Sequence, residues 1–295
     1  MVRHFVRLSD GLNLYCADYP AAAPAAALAR PPVLCLAGLT RNSRDFESLA
    51  PWLAQEYRVL APDLRGRGES DRDPDWRHYR LEVYLDDIRC LLAALQLPRV
   101  IVLGTSLGGL IGLCLSRESS PDVAALILND IGPELDPVGL LRIASTVGTA
   151  PAASTWDQAA GQLAAGHRSA MPDFEPADWL RFARRLCRER APGIIERDMD
   201  PLIGQAMRES DGQIPDFWQA YLAQDAKPML ALRGELSDLL SLATLQRMQQ
   251  LRPSLRTVTV RDRGHTPTLD EPDSRRALAE FLDEFFGSRL ARGLA

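Results

Sequence analysis

Residues 101 to 112 read "IVLGTSLGGLIG", an apolar run that gives way to small residues around a single serine, Ser106. Gly104 and Gly108 stand two positions on either side of this serine, which gives the pattern GxSxG. The β-branched run predicts a strand, and the apolar residues after Ser106 predict a helix. The glycines lack a Cβ, so strand and helix can approach closely around a serine in a strained bend. This context favours a catalytic nucleophile over a plain turn of small residues.

Several other segments share the character of the strand before Ser106. They are short, continuously apolar and rich in β-branched residues. Continuous apolarity indicates strands that are buried on both faces, as in a parallel sheet. Helical patterns lie between them, and strand alternating with helix predicts a doubly wound, mostly parallel α/β sheet. The predicted strands cover residues 32–38, 57–63, 99–105, 123–130, 227–234 and 255–262, and the predicted helices cover residues 43–55, 80–96, 107–118, 242–251 and 273–287.

The beginning of the sequence departs from this alternation. The stretch "MVRHFVRLSDGLNLYCADYP" (1–20) alternates between apolar and polar residues on both sides of Asp10-Gly11. It predicts an antiparallel hairpin with its turn at Asp10-Gly11, and it is not typical of a signal peptide. The Pro- and Ala-rich stretch "PAAAPAAALARPP" (20–32) predicts a surface connection between this hairpin and the first central strand.

Residues 133–225 form the longest interruption of the alternation. They show no convincing strand pattern, and prolines separate their helical patterns. A helical insertion between two strands of a parallel sheet would lie over the carboxyl ends of the strands, where such sheets bind ligands. We therefore expect a core domain of residues 1–132 and 226–295 and a helical cap, or lid, of residues 133–225 (the cap segment). Its helical patterns cover residues 138–148, 156–169, 176–190 and 215–224.

The composition argues against several classes of function. The 295 residues carry a formal net charge of −5, so the chain lacks the basic field that nucleic acid requires. No apolar run approaches the roughly 18 residues that span a bilayer, so we expect no membrane partner. The five cysteines are odd in number and form no CxxC pair. This pattern is typical of buried thiols in a reducing compartment and predicts a cytoplasmic protein.

Cofactor and metal sites are not indicated either. The only lysine is Lys227, and the chain has no GxxxxGK[ST] loop for phosphates. No group of His and Cys residues has the spacing of a metal site. We therefore expect no cofactor and no metal ion, and a small molecule as the partner.

A serine hydroxyl needs a general base before it can act as a nucleophile. His265 stands in "VRDRGHTPTLDEP", in the loop that follows the last predicted strand, from which an imidazole could reach Ser106. His4 is interpreted as a strand residue, and His78 and His167 as surface or lid residues. His265 is therefore the predicted general base.

The histidine in turn needs a carboxylate that fixes its tautomer. Asp238 in "LRGELSDLLS" follows the penultimate predicted strand, and Asp130 in "LILNDIGPE" follows the strand before it. Asp238 is favoured, because it gives the chain order Ser, Asp, His and stands in the loop next to the histidine-bearing strand. Asp130 stays open as the alternative, with a second interpretation as a cap for the turn into the cap segment.

Negative charge that develops on a tetrahedral intermediate needs backbone N–H donors, which form an oxyanion hole. The first expected donor is Leu107, which follows Ser106 and opens a helix whose first N–H groups have no intrahelical acceptor. The second expected donor is Leu39 in "CLAGLTRNSRDF", where Gly38 permits a close approach of the backbone.

These motifs together resemble the α/β-hydrolase superfamily and, within it, the cap-bearing serine hydrolases: esterases, haloperoxidase-like enzymes and carbon–carbon bond hydrolases. The resemblance rests on "GTSLGG" at the nucleophile, "APDLRGRGESD" (61–71), "RGELSDLL" at the acid and "RGHTPTLDEP" at the histidine. It implies the α/β-hydrolase fold, with residues 133–225 as a helical cap between core strands 6 and 7. Epoxide hydrolases and dehalogenases use aspartate where this chain has Ser106.

The chain departs from the family pattern at two positions. Many relatives have His-Gly in the oxyanion loop, where this chain has Ala37-Gly38, so the ring that would brace the loop is absent. The donor is a backbone group, and we expect the oxyanion hole to be retained. Thr105 precedes the nucleophile where relatives often carry a larger side chain, which blurs the assignment to a subfamily.

The leading hypothesis is a serine hydrolase, a carboxylesterase, that cleaves a small carboxylic ester through an acyl-enzyme on Ser106. The alternative is a carbon–carbon bond or lactone hydrolase with the same triad, which a cationic clamp for a substrate carboxylate would favour. A non-catalytic ligand-binding protein on the same fold is the third hypothesis. The arginines considered for a clamp are Arg41, Arg44, Arg142 and Arg181, and the aromatic residues of the cap segment, interpreted mainly as packing residues, are Trp156, Phe174, Trp179, Phe182, Trp218 and Tyr221.

Overall fold

An eight-stranded sheet forms the centre of the molecule in the computed structural model, which describes residues 1–22, 30–117, 122–209, 216–224 and 227–290. The strands of the described residues are β1 (Val2–Arg7), β2 (Asn13–Tyr19), β3 (Val33–Leu36), β4 (Val59–Pro62), β5 (Arg99–Thr105), β6 (Asp122–Asn129), β7 (Cys187–Ala191), β8 (Ile194–Arg197), β9 (Met229–Gly234) and β10 (Arg256–Val260). The order across the sheet is β1-β2-β4-β3-β5-β6-β9-β10. Among the described strands of this sheet, only β1 with β2 and β2 with β4 pair antiparallel. The expected mostly parallel sheet with an N-terminal antiparallel hairpin is confirmed.

Helices cover both faces of this sheet. Their bounds are α1 (Leu49–Leu53), α2 (Leu81–Ala94), α3 (Leu107–Leu115), α4 (Pro137–Thr146), α5 (Trp156–His167), α6 (Pro176–Leu186), α7 (Leu202–Glu209), α8 (Trp218–Leu222), α9 (Leu242–Leu251) and α10 (Pro272–Phe286). Alternate residues of a strand point to opposite faces. Val100 and Val102 of β5 accordingly join the core with α2, α3 and α9, whereas Ile101 and Leu103 join the core with α1 and α10. Burial on both faces explains the continuous apolarity of the strand sequences.

The two edges of the parallel strands carry different residues. The carboxyl ends of β5 and β6 lead directly into Ser106 and Asp130. At the amino ends of β6 and β9, the Lys227 ammonium donates to the Ser116 carbonyl oxygen at 2.8 Å and lies 3.9 Å from Asp122. The residues predicted to carry chemistry therefore gather at the carboxyl edge, where α/β sheets bind ligands.

The cap segment holds α4 to α8 and a two-stranded antiparallel hairpin of β7 and β8. This hairpin corrects two expectations, that the cap segment has no strand and that a helix runs to residue 190, because α6 ends at Leu186. The hairpin was missed since charged residues, such as Arg188 and Arg190, replace the apolar run that marks a core strand. Its turn lies at Pro192-Gly193, where the positive φ of 73° suits glycine.

A hydrophobic cluster of its own lies within the cap segment. It is built mainly from α5 and α6, and the Trp179 and Phe182 rings pack edge to face with centroids 6.1 Å apart. A separate core agrees with the division into core domain and cap, which stays a prediction. The boundary at 225–226, most of the predicted surface connection (23–29) and the ends of two predicted helices (118 and 215) lie outside the described residues. The described helices include none with the length and apolarity needed to cross a membrane.

Candidate active site

The bend between β5 and α3 holds Ser106 in a conformation that L-residues rarely adopt, with φ of 52° and ψ of −117°. Close packing around the bend keeps it there. A Cβ on Gly104 would lie 2.4 Å from the backbone of Gly108, and a Cβ on Gly108 would lie 2.2 Å from the Leu36 carbonyl oxygen. Both glycines of the sequence pattern are therefore required by the close approach of helix and strand.

A chain of two hydrogen bonds runs from the serine to a buried carboxylate. Ser106 Oγ lies 2.9 Å from His265 Nε2, and His265 Nδ1 lies 2.8 Å from Asp130 Oδ2. An ionised carboxylate only accepts hydrogen bonds, so the imidazole proton sits on Nδ1 and Nε2 is free to accept from the serine hydroxyl. The side chains of His265 and Asp130 are 8% and 0% exposed. The structure thus brings together Ser106 and His265, as the sequence predicts.

Asp130, and not the favoured Asp238, is the carboxylate beside the histidine. Asp130 Oδ1 accepts from the Gly234 N–H at 2.8 Å, and Oδ2 accepts from the Ser237 hydroxyl at 2.7 Å as well as from His265. These bonds satisfy a fully buried carboxylate and fix its direction. The loop after β9 is therefore close to the histidine, but it contributes the side chain of Ser237 to the network.

Asp238 makes a different ion pair. Its carboxylate accepts two hydrogen bonds from Arg142 of α4, with Nε at 2.5 Å and the second nitrogen at 2.8 Å. This bidentate pair lowers the pKa of the Asp238 carboxyl. The preference for Asp238 is corrected for this reason, and the alternative kept open from the sequence, Asp130, has the geometry of the orienting acid.

The loop expected to supply the second oxyanion donor lies against the serine. A Cβ on Gly38 would lie 3.6 Å from the Ser106 Cβ. Neither the Leu39 N–H nor the Leu107 N–H has an acceptor among the described residues. Leu107 opens α3, where an N–H has no partner within the helix. The two groups are available as donors, and their role in an oxyanion hole stays a prediction.

A buried arginine that the sequence reading missed braces this loop. Arg67, only 1% exposed, donates through Nε to the Leu39 carbonyl oxygen at 2.8 Å. The guanidinium also donates to the Arg65 carbonyl oxygen at 2.6 Å and to the Tyr84 hydroxyl at 2.9 Å. Arg67 stands in the "LRGRG" loop after β4. Its place directly after a central strand, at the carboxyl edge of the sheet, was the signal in the sequence that could have marked it as a residue near the site. Arg67 supports the loop that contains Gly38 and Leu39.

A small cavity of about 140 Å³ opens over the serine. By the volume that one water needs, it holds on the order of ten waters, which suits a small molecule. The core domain contributes Leu39, Ser106 and His265 to its walls, and the cap segment contributes residues of α4, α5 and the hairpin. The further residues that line it are Gly38, Thr40, Arg41, Thr105, Arg142, Ile143, Thr146, Val147, Gly148, Ala150, His167, Leu186, Arg197, Met199 and Thr266.

The four arginines considered for a cationic clamp fall into two groups. Arg41 and Arg142 line the cavity, and each is paired with a carboxylate, Asp45 and Asp238 respectively. The other two, Arg44 and Arg181, are not among the described residues that line it. A third cavity arginine, Arg197, was missed because it ends a strand that the sequence did not predict.

His167, interpreted as a surface or lid residue, lines the cavity from the end of α5. Burial lowers the pKa of its imidazole to about 4, and the positive charges of Arg197 and Arg41 act in the same direction. Its Nδ1 donates to the Leu163 carbonyl oxygen at 3.1 Å. The ring is therefore neutral at pH 7, and Nε2 is left as an acceptor.

The remaining candidates from the sequence lie away from the cavity. His4 contacts Asp18 at 2.9 Å, and His78 contacts Asp73 at 2.9 Å. None of the six aromatic residues named for the cap segment is among the described residues that line the cavity. Phe174, Trp179 and Phe182 instead pack on one another. Within the described residues, no group of three or more His, Cys, Asp and Glu side chains could hold a metal ion.

Comparison with known proteins gives consistent matches. A family model described as "alpha/beta hydrolase fold" matches residues 31–272. A 3-hydroxybutyrate-oligomer hydrolase from Cupriavidus necator is 32% identical over 253 residues, which cover 83% of this chain and 86% of that protein. A 2-(acetamidomethylene)succinate hydrolase from Mesorhizobium japonicum is 28% identical over 256 residues, with 86% and 88% covered.

A solved structure is also similar over almost its entire length. The crystal structure of an alpha/beta hydrolase from Novosphingobium aromaticivorans is 41% identical and has a TM-score of 0.89. The match covers 96% of this chain and 98% of that one. Similarity at this level extends across the core domain and the cap segment together.

Proposed function

This chain belongs to the family with the alpha/beta hydrolase fold, and on that premise we propose that it is a serine hydrolase that cleaves a small carboxylic ester. The observation that carries the proposal is the hydrogen-bonded chain from Ser106 through His265 to Asp130. A hydroxyl, an imidazole and a carboxylate in this order form the unit that activates serine for acyl transfer.

The first half of the reaction forms an acyl-enzyme. Ser106 Oγ attacks the ester carbonyl carbon while His265 Nε2 takes the hydroxyl proton. The carbonyl oxygen becomes an oxyanion, which the N–H groups of Leu39 and Leu107 stabilise. The bond from the carbonyl carbon to the alcohol oxygen then breaks, and the alcohol leaves with the proton returned by His265. The carboxylate of Asp130 stabilises the imidazolium and holds the ring in place.

The second half returns the enzyme to its starting state. A water molecule attacks the acyl carbon and gives a proton to His265 Nε2. The bond between the acyl carbon and Ser106 Oγ breaks, and His265 returns the proton to that oxygen. The carboxylic acid leaves, so that one ester and one water have become one acid and one alcohol.

Two further observations support an ester as the substrate. The cavity of about 140 Å³ admits a small molecule at Ser106. The Cupriavidus necator relative is named for an oligomer of a hydroxy acid, and the units of such oligomers are joined by ester bonds. The cavity supports a substrate of small size, and the name of the relative supports an ester bond.

The test is hydrolysis of 4-nitrophenyl acetate by the wild type and by Ser106→Ala. Removal of the nucleophile should lower kcat by about 10⁴-fold or more. A fluorophosphonate should label the wild type and leave Ser106→Ala unlabelled. Near-normal turnover by Ser106→Ala would disprove the proposal, and a wild type that is neither labelled nor active would favour a non-catalytic binding protein.

A carbon–carbon bond or lactone hydrolase is the second candidate. The observation that favours it is that three arginines, Arg41, Arg142 and Arg197, line the cavity. Such an enzyme would use Ser106, His265 and Asp130 on a different bond. The test measures kcat/KM for a vinylogous diketone acid, a lactone and a simple ester. If kcat/KM is higher for the diketone acid or for the lactone than for the simple ester, the second candidate takes the place of the ester proposal.

A further inference from the structure

Arg197, the last residue of β8, lines the cavity without a carboxylate beside it. It is partly buried, and its described side-chain contact is the thiol of Cys187. No Asp or Glu within the described part of the chain forms an ion pair with it. A guanidinium has five N–H donors, so a single thiol leaves most of them without an acceptor.

The neighbouring arginines are paired. Asp198 follows Arg197 directly, and its Oδ2 accepts from Arg188 at 3.0 Å and lies 2.9 Å from Arg44. Its Oδ1 accepts from Arg190 at 2.8 Å. Both carboxylate oxygens of Asp198 are therefore engaged by other guanidiniums. Arg197 is the exception on a hairpin whose other arginines share one carboxylate.

The other polar groups of the cavity do not neutralise Arg197. The guanidinium of Arg41 is held 2.8 Å from Asp45, and Arg142 is paired with Asp238. His167 is neutral and brings no negative charge. Burial lowers the pKa of the Arg197 guanidinium, and the nearby positive charge of Arg41 acts in the same direction. The cavity, as far as its lining residues are described, keeps a positive charge without a counter-ion.

A partly buried charge without a partner costs free energy, and an anion that enters the cavity would recover it. We propose that Arg197 binds a free carboxylate of the substrate, so that the molecule cleaved at Ser106 is a short ester with a second, ionised carboxyl group. The ester bond itself rests on the proposed function. Ser106 and Arg197 line the same cavity of about 140 Å³, so one small molecule can contact both.

A carboxylate fits this site better than a phosphate monoester. Arginine binds both groups through two parallel hydrogen bonds, so geometry alone does not separate them. The charge of the site separates the two groups, because Asp45 and Asp238 already neutralise Arg41 and Arg142. One unpaired guanidinium matches the single charge of a carboxylate and leaves the second charge of a phosphate monoester without a partner.

The first experiment compares esters that differ only in the free carboxylate. The substrates are the monomethyl and dimethyl esters of succinate, glutarate and adipate, and the quantity is the ratio of kcat/KM for monoester over diester. The wild type should prefer the monoester by about tenfold or more at its best chain length. Loss of one charge-assisted hydrogen-bonding partner in Arg197→Met should lower the ratio by about 10- to 100-fold. Arg197→Lys, which retains the charge, should recover part of it.

The matched control is Arg181→Met in the same cap segment. Arg181 is exposed, pairs with Asp178 and is not among the described residues that line the cavity. Arg181→Met removes the same charge as Arg197→Met, so a general effect of net charge would appear in both variants. We expect the ratio in Arg181→Met to equal the wild-type ratio.

The second experiment measures binding without turnover. Monomethyl glutarate is titrated calorimetrically into Ser106→Ala and into Ser106→Ala with Arg197→Met, and the Kd should weaken by about 10- to 100-fold in the double variant. Inorganic phosphate is the competitor. If inorganic phosphate binds to Ser106→Ala as tightly as monomethyl glutarate does, the assignment to a carboxylate is overturned.

The outcomes separate the two proposals. If Ser106→Ala abolishes hydrolysis but Arg197→Met keeps the wild-type ratio, the carboxylate site is refuted and the serine hydrolase stands. If the wild type hydrolyses none of the esters and resists the fluorophosphonate, the serine hydrolase fails. The calorimetric comparison then decides on Arg197 alone, because an equal Kd in the two backgrounds would refute its role.

Discussion

Asp130 and Asp238 follow neighbouring strands at the carboxyl edge of the sheet, and they differ in what each carboxylate contacts. Asp130 is fully buried and accepts a hydrogen bond from His265, whereas Asp238 is half-buried and pairs with Arg142. A carboxylate can orient the imidazole only through direct contact. The two residues therefore allow the acid assignment to be tested with the same substitution at both positions.

Asp130→Asn should lower kcat for 4-nitrophenyl acetate by about 10⁴-fold, the size seen when the acid of a serine triad becomes an amide. The amide can donate to Nδ1 and favours the wrong tautomer of His265. Asp238→Asn should change kcat by less than about tenfold, because it weakens a partly exposed ion pair. The reverse order of the two effects would restore Asp238 as the acid.

His167 makes stability depend on pH. Its folded-state pKa of about 4 lies below the ordinary value of 6.5, so between these pH values the unfolded chain binds more protons. Stability contributed by the neutral ring is fully present above about pH 6.5 and is lost as the pH falls towards 4. Between about pH 7.5 and pH 5, this linkage should cost the wild type about 1–2 kcal/mol.

His167→Gln removes the titrating group and leaves a side chain of similar size. The free energy of unfolding, measured with urea at both pH values, should fall by about 1–2 kcal/mol less in the variant than in the wild type. An equal fall in the two proteins would show that the ring is already protonated, or solvated, in the folded state.

At the scale of elements, the contact between β5 and α3 decides where the serine stands. The helix packs so closely that Gly104 has no room for a methyl group. Gly161 in α5 offers the opposite case, because a Cβ there would meet no atom within 4 Å. The same change, glycine to alanine, thus separates the effect of close packing from the effect of helix propensity.

Gly104→Ala should destabilise the protein by about 1–3 kcal/mol through overpacking, and it should lower the rate of 4-nitrophenyl acetate hydrolysis because Ser106 shifts. Gly161→Ala should stabilise by about 0.5–1 kcal/mol, since alanine is the better helix former. Denaturant unfolding measures both differences. A Gly104→Ala protein with wild-type stability and activity would contradict the tight strand-to-helix contact.

The elements that the sequence predicted correctly are those with one dominant signal. Continuous apolarity revealed the core strands, because burial on both faces leaves no place for polar residues. The hairpin of β7 and β8 has no such signal, and Arg197 was missed with it. Ser106 and His265 were singled out from the context of their loops, and the structure places Ser106 Oγ 2.9 Å from His265 Nε2. Asp130 and Asp238 were confused, since sequence order places the loops of a sheet but not the direction of each side chain.

At the scale of the whole molecule, Asp198 links the cap segment to the core domain. Its fully buried carboxylate accepts from Arg188 and Arg190 of the hairpin and contacts Arg44 of the core domain. The Asp198 carbonyl oxygen also accepts from the Gly68 N–H at 3.1 Å. One residue thus fixes the hairpin, and with it Arg197, against the loops of the carboxyl edge.

Asp198→Asn should loosen the cap segment, because it removes the buried charge that pairs with Arg44, Arg188 and Arg190. Removal of one partner from a buried ion pair costs about 3–5 kcal/mol. Limited proteolysis should then cut within residues 133–225 faster than in the wild type. Asp178→Asn serves as the control, because it removes the charge that pairs with the exposed Arg181 and keeps an oxygen that can accept from the Glu175 N–H. A cleavage pattern that Asp198→Asn leaves unchanged would place the anchorage of the cap segment elsewhere.

Lys227, the single lysine of the chain, also bears on how the protein can be handled. It stands at the amino ends of β6 and β9, on the edge of the sheet opposite Ser106. Burial lowers the pKa of its ammonium, which raises the fraction of free amine at neutral pH. Attachment of a solid support to this side chain would therefore hold the molecule by the edge of the sheet that lies opposite Ser106.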